Sequence, residues 1–529
     1  MPRPRLAIPL LAALLALATA TSAAAANQSE FVGHHRQLLR VVVVPALNHG
    51  NLAALQREGA ALGLLVPNAG PTTSPGDAFA GMVRGILYNA RLAKPTDSIL
   101  IRVEHSTTVP TSGPAIVVAL PRHATANTER YPVAVLGAGY HGLLVSRLTR
   151  VPGLVSMADV ARTALQTENR LRARPDAHPR ETLLTLESRI ESSRSSTMAG
   201  SVLVLSLLVF FALLYPAGAP AALATALATN LAIGWIGGND PVADVVMLGL
   251  FLVGGGIVGP RLLRSRTALG LALVGVVAAY GVALAVQPPA LSLAPMGPEL
   301  TSRFFGVSNL IETLLVAPAL LGAKLLGERF GPPAFAGVAV LTLATIGENR
   351  LGADGGGAFV VTVAFALLAV GMWTRSRAAA LPALALAGLV AFALLELDAT
   401  AKTPNHLAGA LHGGVRGLVD VAANRVPLSY ARIGHQWWLL FPGLPALAVG
   451  IAAVRHARSR AEAALVVALL GGLATSLVLN DSPGAVAIAG LASLLTLEGG
   501  LVHRGLFLPV ARRLNVTLPA PPRSPRPQE

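Results

Sequence analysis

The residues best suited to chemistry stand in three short stretches, each beside a long apolar run. Arg303, Asn309 and Glu312 fall within Arg-Phe-Phe-Gly-Val-Ser-Asn-Leu-Ile-Glu, where one such run begins. Asn309 and Glu312 are three apart, so on a helix they share a face. A span beginning near 305 carries Glu312 about two turns in. An ionisable group at that depth is costly and marks a functional position by default; a structural pairing with Arg303 or Arg350 accounts for it as well. Glu348, Asn349, Arg350 and Asp354 lead into Gly355-Gly356-Gly357. Backbone N–H groups at such a helix start favour a phosphate or carboxylate, although a flexible turn or close helix packing calls for the same glycines. Asn480, Asp481 and Ser482 precede Pro483-Gly484. Asp481 or Ser482 suits the N-cap of a following helix; alternatively Asp481 faces the same cavity as Glu312. His406 and His412 belong to a long polar stretch with Asp398, and their spacing is no zinc pattern; no metal and no cofactor is expected. Glu312, Asp481 and His406 are thus the candidate acid–base groups. Arg303, Asn309, Arg350, Asp354, Asn480 and Ser482 are the candidate substrate-binding groups, with Arg suited to hold a phosphate or carboxylate through paired hydrogen bonds.

The elements that must position these residues are membrane spans. The chain has 529 residues, 53% hydrophobic and 13% charged, with a mean hydropathy of +0.61. Soluble domains carry about 25% charged residues. A span needs about 20 apolar residues. Suitable runs lie near 198–216, 219–236, 242–260, 267–286, 305–325, 333–348, 357–373, 379–395, 437–454, 463–479 and 483–500, which predicts about eleven transmembrane helices. The polar stretch 396–436 between two of them reads as an external loop, part of which is a candidate amphipathic helix on the membrane surface. Ahead of the spans, residues 1–26 read as a signal peptide: Arg3 and Arg5, an apolar Ile8 to Ala18, then Ala24-Ala25-Ala26. Residues 27–195 alternate β-like runs (Val41–Val44, Ile99–Val103, Ala115–Leu120, Pro132–Leu136) with helix-like segments (Asn51–Leu62, Ala78–Ala93). That alternation predicts an extracytoplasmic α/β domain with a largely parallel sheet. Residues 178–196 continue as a charged helix into the bundle of 196–514, and 515–529 form a Pro- and Arg-rich cytoplasmic tail, read as disordered.

Charge sets the orientation and excludes one function class. The net charge is +15, but the Arg residues occupy short turns such as Arg261–Arg266, Lys324–Arg329, Arg375–Arg377, Arg455–Arg460 and Arg504–Arg513. With an exported first domain, alternation of the spans puts all of these turns inside, as the positive-inside rule requires. No basic face interleaved with aromatic residues remains to bind nucleic acid. The absence of Cys excludes disulfides, thiolate metal sites and Cys nucleophiles. The expected location is a bacterial inner membrane, crossed many times, with the first domain outside and the C-terminus inside.

Several stretches resemble a known family. Val41-Val-Val-Val-Pro-Ala-Leu-Asn-His-Gly-Asn-Leu, Ala69-Gly-Pro-Thr-Thr-Ser-Pro-Gly-Asp77 and Arg150-Val-Pro-Gly-Leu-Val-Ser-Met-Ala-Asp-Val-Ala-Arg-Thr163 resemble the first strand, the nucleophile region and a late segment of an alkaline-phosphatase-like fold. In the other half, Arg303 to Glu312, Gly352 to Gly356 and Asn480 to Gly484 are similar to the RFYGxGN-E, GAD-GG and NDSG motifs of actinobacterial polytopic integral membrane proteins. The resemblance implies a degenerate external domain: Pro45-Ala46 stand where the superfamily has a metal-binding Asp, and Thr73 or Ser74 at the nucleophile position would lack activation. His49, Asp77, His141 and Asp159 are the residues from which a residual site could be built.

Gathered Arg, Glu, Asp, Asn and His at one membrane face suit a cell-envelope protein that handles a lipid-linked or anionic substrate at the outer leaflet. Its expected partners are membrane lipids or a lipid-linked substrate, together with envelope proteins. Two other readings carry different signals. A transporter or flippase would break helices at mid-membrane, for which Gly254-Gly255-Gly256 and Pro318 are candidates. A non-catalytic scaffold would recruit partners through the external domain.

Overall fold

A computed structural model describes residues 38–66, 72–85, 101–120, 122–123, 125–126, 129–137, 139–167, 170–298, 305–348, 351–352, 355–374, 441, 443–479 and 483–497. The expected signal peptide 1–26, the apolar run 379–395, the expected external loop 396–436 and the expected tail 515–529 lie outside the described residues.

The first unit is a mixed α/β sheet. Its elements are β1 (Arg40–Val44), α1 (His49–Arg57), β2 (Ala61–Val66), β3 (Thr72–Thr73), α2 (Pro75–Arg84), β4 (Val103–His105), β5 (Ala115–Ala119), β6 (Thr125–Ala126), β7 (Tyr131–Leu136), β8 (Gly142–Val145), β9 (Leu154–Ser156), α3 (Ala158–Ala164) and β10 (Arg172–Arg174). The main sheet runs β10-β8-β2-β7-β5-β1-β4, with β9 also on β2; β3 and β6 pair separately. β1 is parallel to β4 and β5, and β2 to β8 and β9. β7, however, is antiparallel to both β2 and β5, which corrects the expectation of a largely parallel sheet. The connection from β5 to β7 holds no helix among its described residues, and without a long crossover the chain can only return antiparallel. The central strands are apolar throughout because both faces are covered. Val42 and Val44 face Leu52 and Leu55 of α1 together with Leu183, Leu186 and Ile190; Val41 and Val43 face Met82 of α2 and Val160 of α3.

Two helix-like stretches end sooner than their composition suggests. α1 stops at Arg57 because Gly59 takes φ +80, and β2 takes up the apolar residues that follow. α2 stops at Arg84, where Gly85 is left-handed at φ +64 and its N–H bonds to the Gly81 carbonyl.

The second unit is a helix bundle. α4 (Pro179–Leu214) starts beneath the sheet and runs on without a break into the first apolar run; a 3-10 turn, Pro216–Gly218, follows. Then come α5 (Ala219–Ile236), α6 (Pro241–Leu262), α7 (Arg266–Val286), the short α8 (Pro289–Ser292), α9 (Asn309–Phe330), α10 (Pro332–Gly347), α11 (Gly355–Trp373), α12 (Gly443–His456), α13 (Arg460–Leu479) and α14 (Pro483–Leu497). Among the described residues, seven helices are long and apolar enough to cross a membrane, and three shorter apolar helices accompany them. The chain is a multi-pass membrane protein. α6 continues through Gly254–Gly256 and α9 through Pro318 as unbroken helices.

Close contacts fix the direction of each helix. Gly255 meets Thr225 and Gly259 meets Ala221, so α5 and α6 are antiparallel; Gly371 meets Ala464 and Gly472 meets Ala364, so α11 and α13 are too. Followed through the bundle, the starts of α6, α9, α11, α12 and α14 lie at the end nearer the sheet. The turns bearing Arg261, Arg264, Arg329, Arg458 and Arg460 lie at the far end. α9 is the central helix: its residues from Ile311 to Gly327 are all buried.

Candidate functional site

The segment 290–298 is buried at the sheet end of the bundle. Asn230 holds it from α5: its Oδ1 accepts from Met296 N at 2.8 Å, and its Nδ2 donates to the Tyr280 hydroxyl at 3.2 Å. Tyr280 in turn donates to the Leu227 carbonyl. Ser193 of α4 donates to the Ala294 carbonyl at 3.0 Å, and Leu293 packs into the sheet core. Sheet, stalk helix and bundle therefore meet on this segment.

α9 begins against it. Ser308 is the N-cap: its Oγ accepts from Ile311 N at 3.2 Å and donates to the Met296 carbonyl at 3.1 Å. Glu312 is fully buried and lies in the first turn, not two turns in, because Gly306 at φ +88 turns the chain and delays the helix to Asn309. A carboxylate is stabilised there by the helix dipole. Asn309 is half-buried on the same face.

The first and second motif stretches touch. Val307 N donates to the Gly352 carbonyl at 3.0 Å. A Cβ on Gly306 would run into that same carbonyl oxygen, so the close approach requires glycine. Glu348 is half-buried, and its carbonyl accepts from Leu351 N in the turn leading to Gly352. The third stretch precedes α14, which packs on α9 with Ser493 Oγ donating to the Thr313 carbonyl at 3.3 Å. A fourth stretch joins from the sheet domain: the Arg150 guanidinium lies 3.7 Å above the Phe305 ring, a cation–π contact. Arg150 itself has φ +56, an uncommon conformation for a residue with a side chain.

Of the candidate residues, the structure places Asn309 and Glu312 together. Arg303, Arg350, Asp354, His406, Asn480, Asp481 and Ser482 lie outside the described residues. Three features escaped the choice of candidates: Arg150, the Gly306–Gly352 contact and the Asn230–Tyr280 clamp. The two glycines could have been found from their place inside the motifs; the conformation of Arg150 leaves no mark in sequence.

The phosphatase-like positions of the sheet domain have other partners. Ser74 is the N-cap of α2 and its Oγ donates to Asp77 Oδ2 at 2.7 Å. Asp159 is buried and accepts at Oδ2 from Ser146 Oγ at 2.6 Å and Ser156 N at 2.8 Å. Burial pushes its carboxyl up to about 6, against the pull of those two bonds and of Arg162. His49 and His141 are exposed. Among the described residues, no three His, Asp or Glu side chains are grouped to hold a metal. Comparison of the chain with protein-family models, curated proteins and solved structures gave no match.

Proposed function

We propose that this chain is a cell-envelope protein of a bacterial inner membrane that handles a lipid-linked or anionic substrate at the outer face, at the sheet-side end of the bundle. The observation that carries this reading is the meeting of Arg150–Phe305, Gly306–Gly352 and buried Glu312 at one end of the bundle. Three stretches singled out for their residue types bear on that end, Arg150 joins them from the sheet domain, and the helices α9, α11 and α14 all start there. Their positive dipole ends suit an anion. In this reading Arg303 and Arg350 hold the phosphate or carboxylate, Asn309 orients it, and Glu312 is the base. The sheet domain, similar to a degenerate alkaline-phosphatase-like fold, covers the site without performing chemistry.

The basic turns at the far end support an inward-facing far side, with about eleven spans in all. Complementation of a deletion strain tests the site. Glu312→Gln and Arg303→Gln, at wild-type protein levels, are expected to abolish envelope growth and to leave an undecorated lipid-linked precursor in the membrane. Full growth of both variants sinks the reading and favours a scaffold.

A further inference from the structure

A second site lies at the opposite end of the bundle. α5, α6 and α7 enclose an open groove of about 730 Å³, lined by Ala224, Thr225 and Ala228 of α5, Phe251 and Gly254 of α6 and Val276 of α7, among others. This volume falls in the range of small-molecule sites, about 300–1,000 Å³. Its lining is almost wholly apolar and belongs to three of the spans. The α6 part runs from Leu250 to Leu262, about 18 Å at 1.5 Å per residue. That is close to one leaflet of hydrocarbon, half of the roughly 30 Å core.

The floor of the groove is built in. α5 and α6 are drawn together by Gly255 against Thr225 and Gly259 against Ala221, while Gly254 faces open space with no atom within 4 Å of a Cβ. One end of the groove reaches Leu262 and Leu263, which are flanked by Arg261 and Arg264. Both residues are exposed. Arg261 bonds to the Ile257 carbonyl and Arg264 to the Arg261 carbonyl, and neither pairs with a carboxylate among the described residues. Arg266, next along, shares Glu328 with Lys324.

We infer that the groove holds one acyl chain of an anionic phospholipid, with its phosphate on Arg261 and Arg264. Charge complementarity decides the occupant: a neutral apolar partner would leave two unpaired cations at the mouth. A groove one leaflet deep suits a lipid chain that starts at a headgroup.

Native mass spectrometry of the full chain tests this. The protein is taken from vesicles of equal phosphatidylcholine and phosphatidylglycerol into mild detergent, and the retained lipid is counted. Wild type is expected to keep one phosphatidylglycerol per chain. Arg261→Gln with Arg264→Gln is expected to lower the preference for phosphatidylglycerol about thirtyfold, from two basic contributions near an anionic headgroup. Gly254→Leu, whose Cβ meets no neighbour and whose side chain extends into the groove, is expected to lose retained lipid of both kinds at an unchanged melting temperature. Should Gly254→Leu melt early, Ala228→Phe on the opposite wall carries the same expectation. Retention of the two lipids in their bulk ratio by wild type overturns the inference. So does undiminished phosphatidylglycerol in the filled-groove variants, the outcome if another stretch of the chain occupies the groove, or unchanged preference in the double Arg variant.

Discussion

Replacing Gly306 with alanine brings two separate penalties. Its φ of +88 is unfavourable for a residue with a side chain, and the new Cβ meets the Gly352 carbonyl. Gly113 has a similar φ of +79 but open space around it. Gly306→Ala is therefore expected to cost about 1–3 kcal/mol and to be clearly worse than Gly113→Ala, as read from thermal melting in detergent. Asp159 gives a prediction in pH. Its folded carboxyl sits near 6 against an unfolded value of 3.8. The folded state therefore binds the proton more tightly, and the stability this group contributes is full below about pH 4 and is lost as pH rises through about 6. Hydrogen-exchange protection of β9 and α3 should fall between pH 4.5 and 7 in the wild type, and fall less in Asp159→Asn. An equal fall in both would place the dependence elsewhere.

The clamp on residues 290–298 belongs to the scale of elements. Asn230 satisfies one backbone N–H and donates to one hydroxyl in the buried interior. Asn230→Ala leaves the Met296 N–H buried without its acceptor, while Tyr280 keeps its bond to the Leu227 carbonyl, at a cost of about 1–3 kcal/mol. The chain has no Cys, so an added Cys is the sole thiol. Ser292→Cys is buried and should resist maleimide in the wild-type background but react once Asn230 is replaced. Equal protection in both backgrounds would show that the segment is held by other contacts. Much of this layer was legible in sequence. The apolar runs gave the helices, because twenty residues of hydrocarbon-compatible chain have few alternatives to a span. β1, β5 and β7 were readable from Val-rich runs. β2 was not, because it follows α1 after a three-residue break and shares its apolar character; only Gly59 marks the boundary. The antiparallel return of β7 depends on which strands lie side by side, and periodicity does not carry that. At the site, Asn309 and Glu312 followed from their spacing, whereas Arg150 reaches Phe305 from a different domain across more than a hundred residues.

At the scale of the whole molecule, sidedness can be tested directly. Ser112 in the sheet domain and Arg458 at the far end are both exposed. Ser112→Cys should react with an impermeant maleimide on intact spheroplasts, and Arg458→Cys only after permeabilisation; the reverse pattern would invert the proposed orientation. α4 has one more consequence. It contains 36 residues in one helix, about 54 Å at 1.5 Å per residue, against a hydrocarbon core of about 30 Å. Its outer turns form part of the sheet's own core through Leu183, Leu186 and Ile190. No hinge separates the part packed on the sheet from the part in the bundle, so the helix acts as a mast. A sideways load on the sheet domain tilts the mast in the bilayer instead of swinging the domain on a flexible cord.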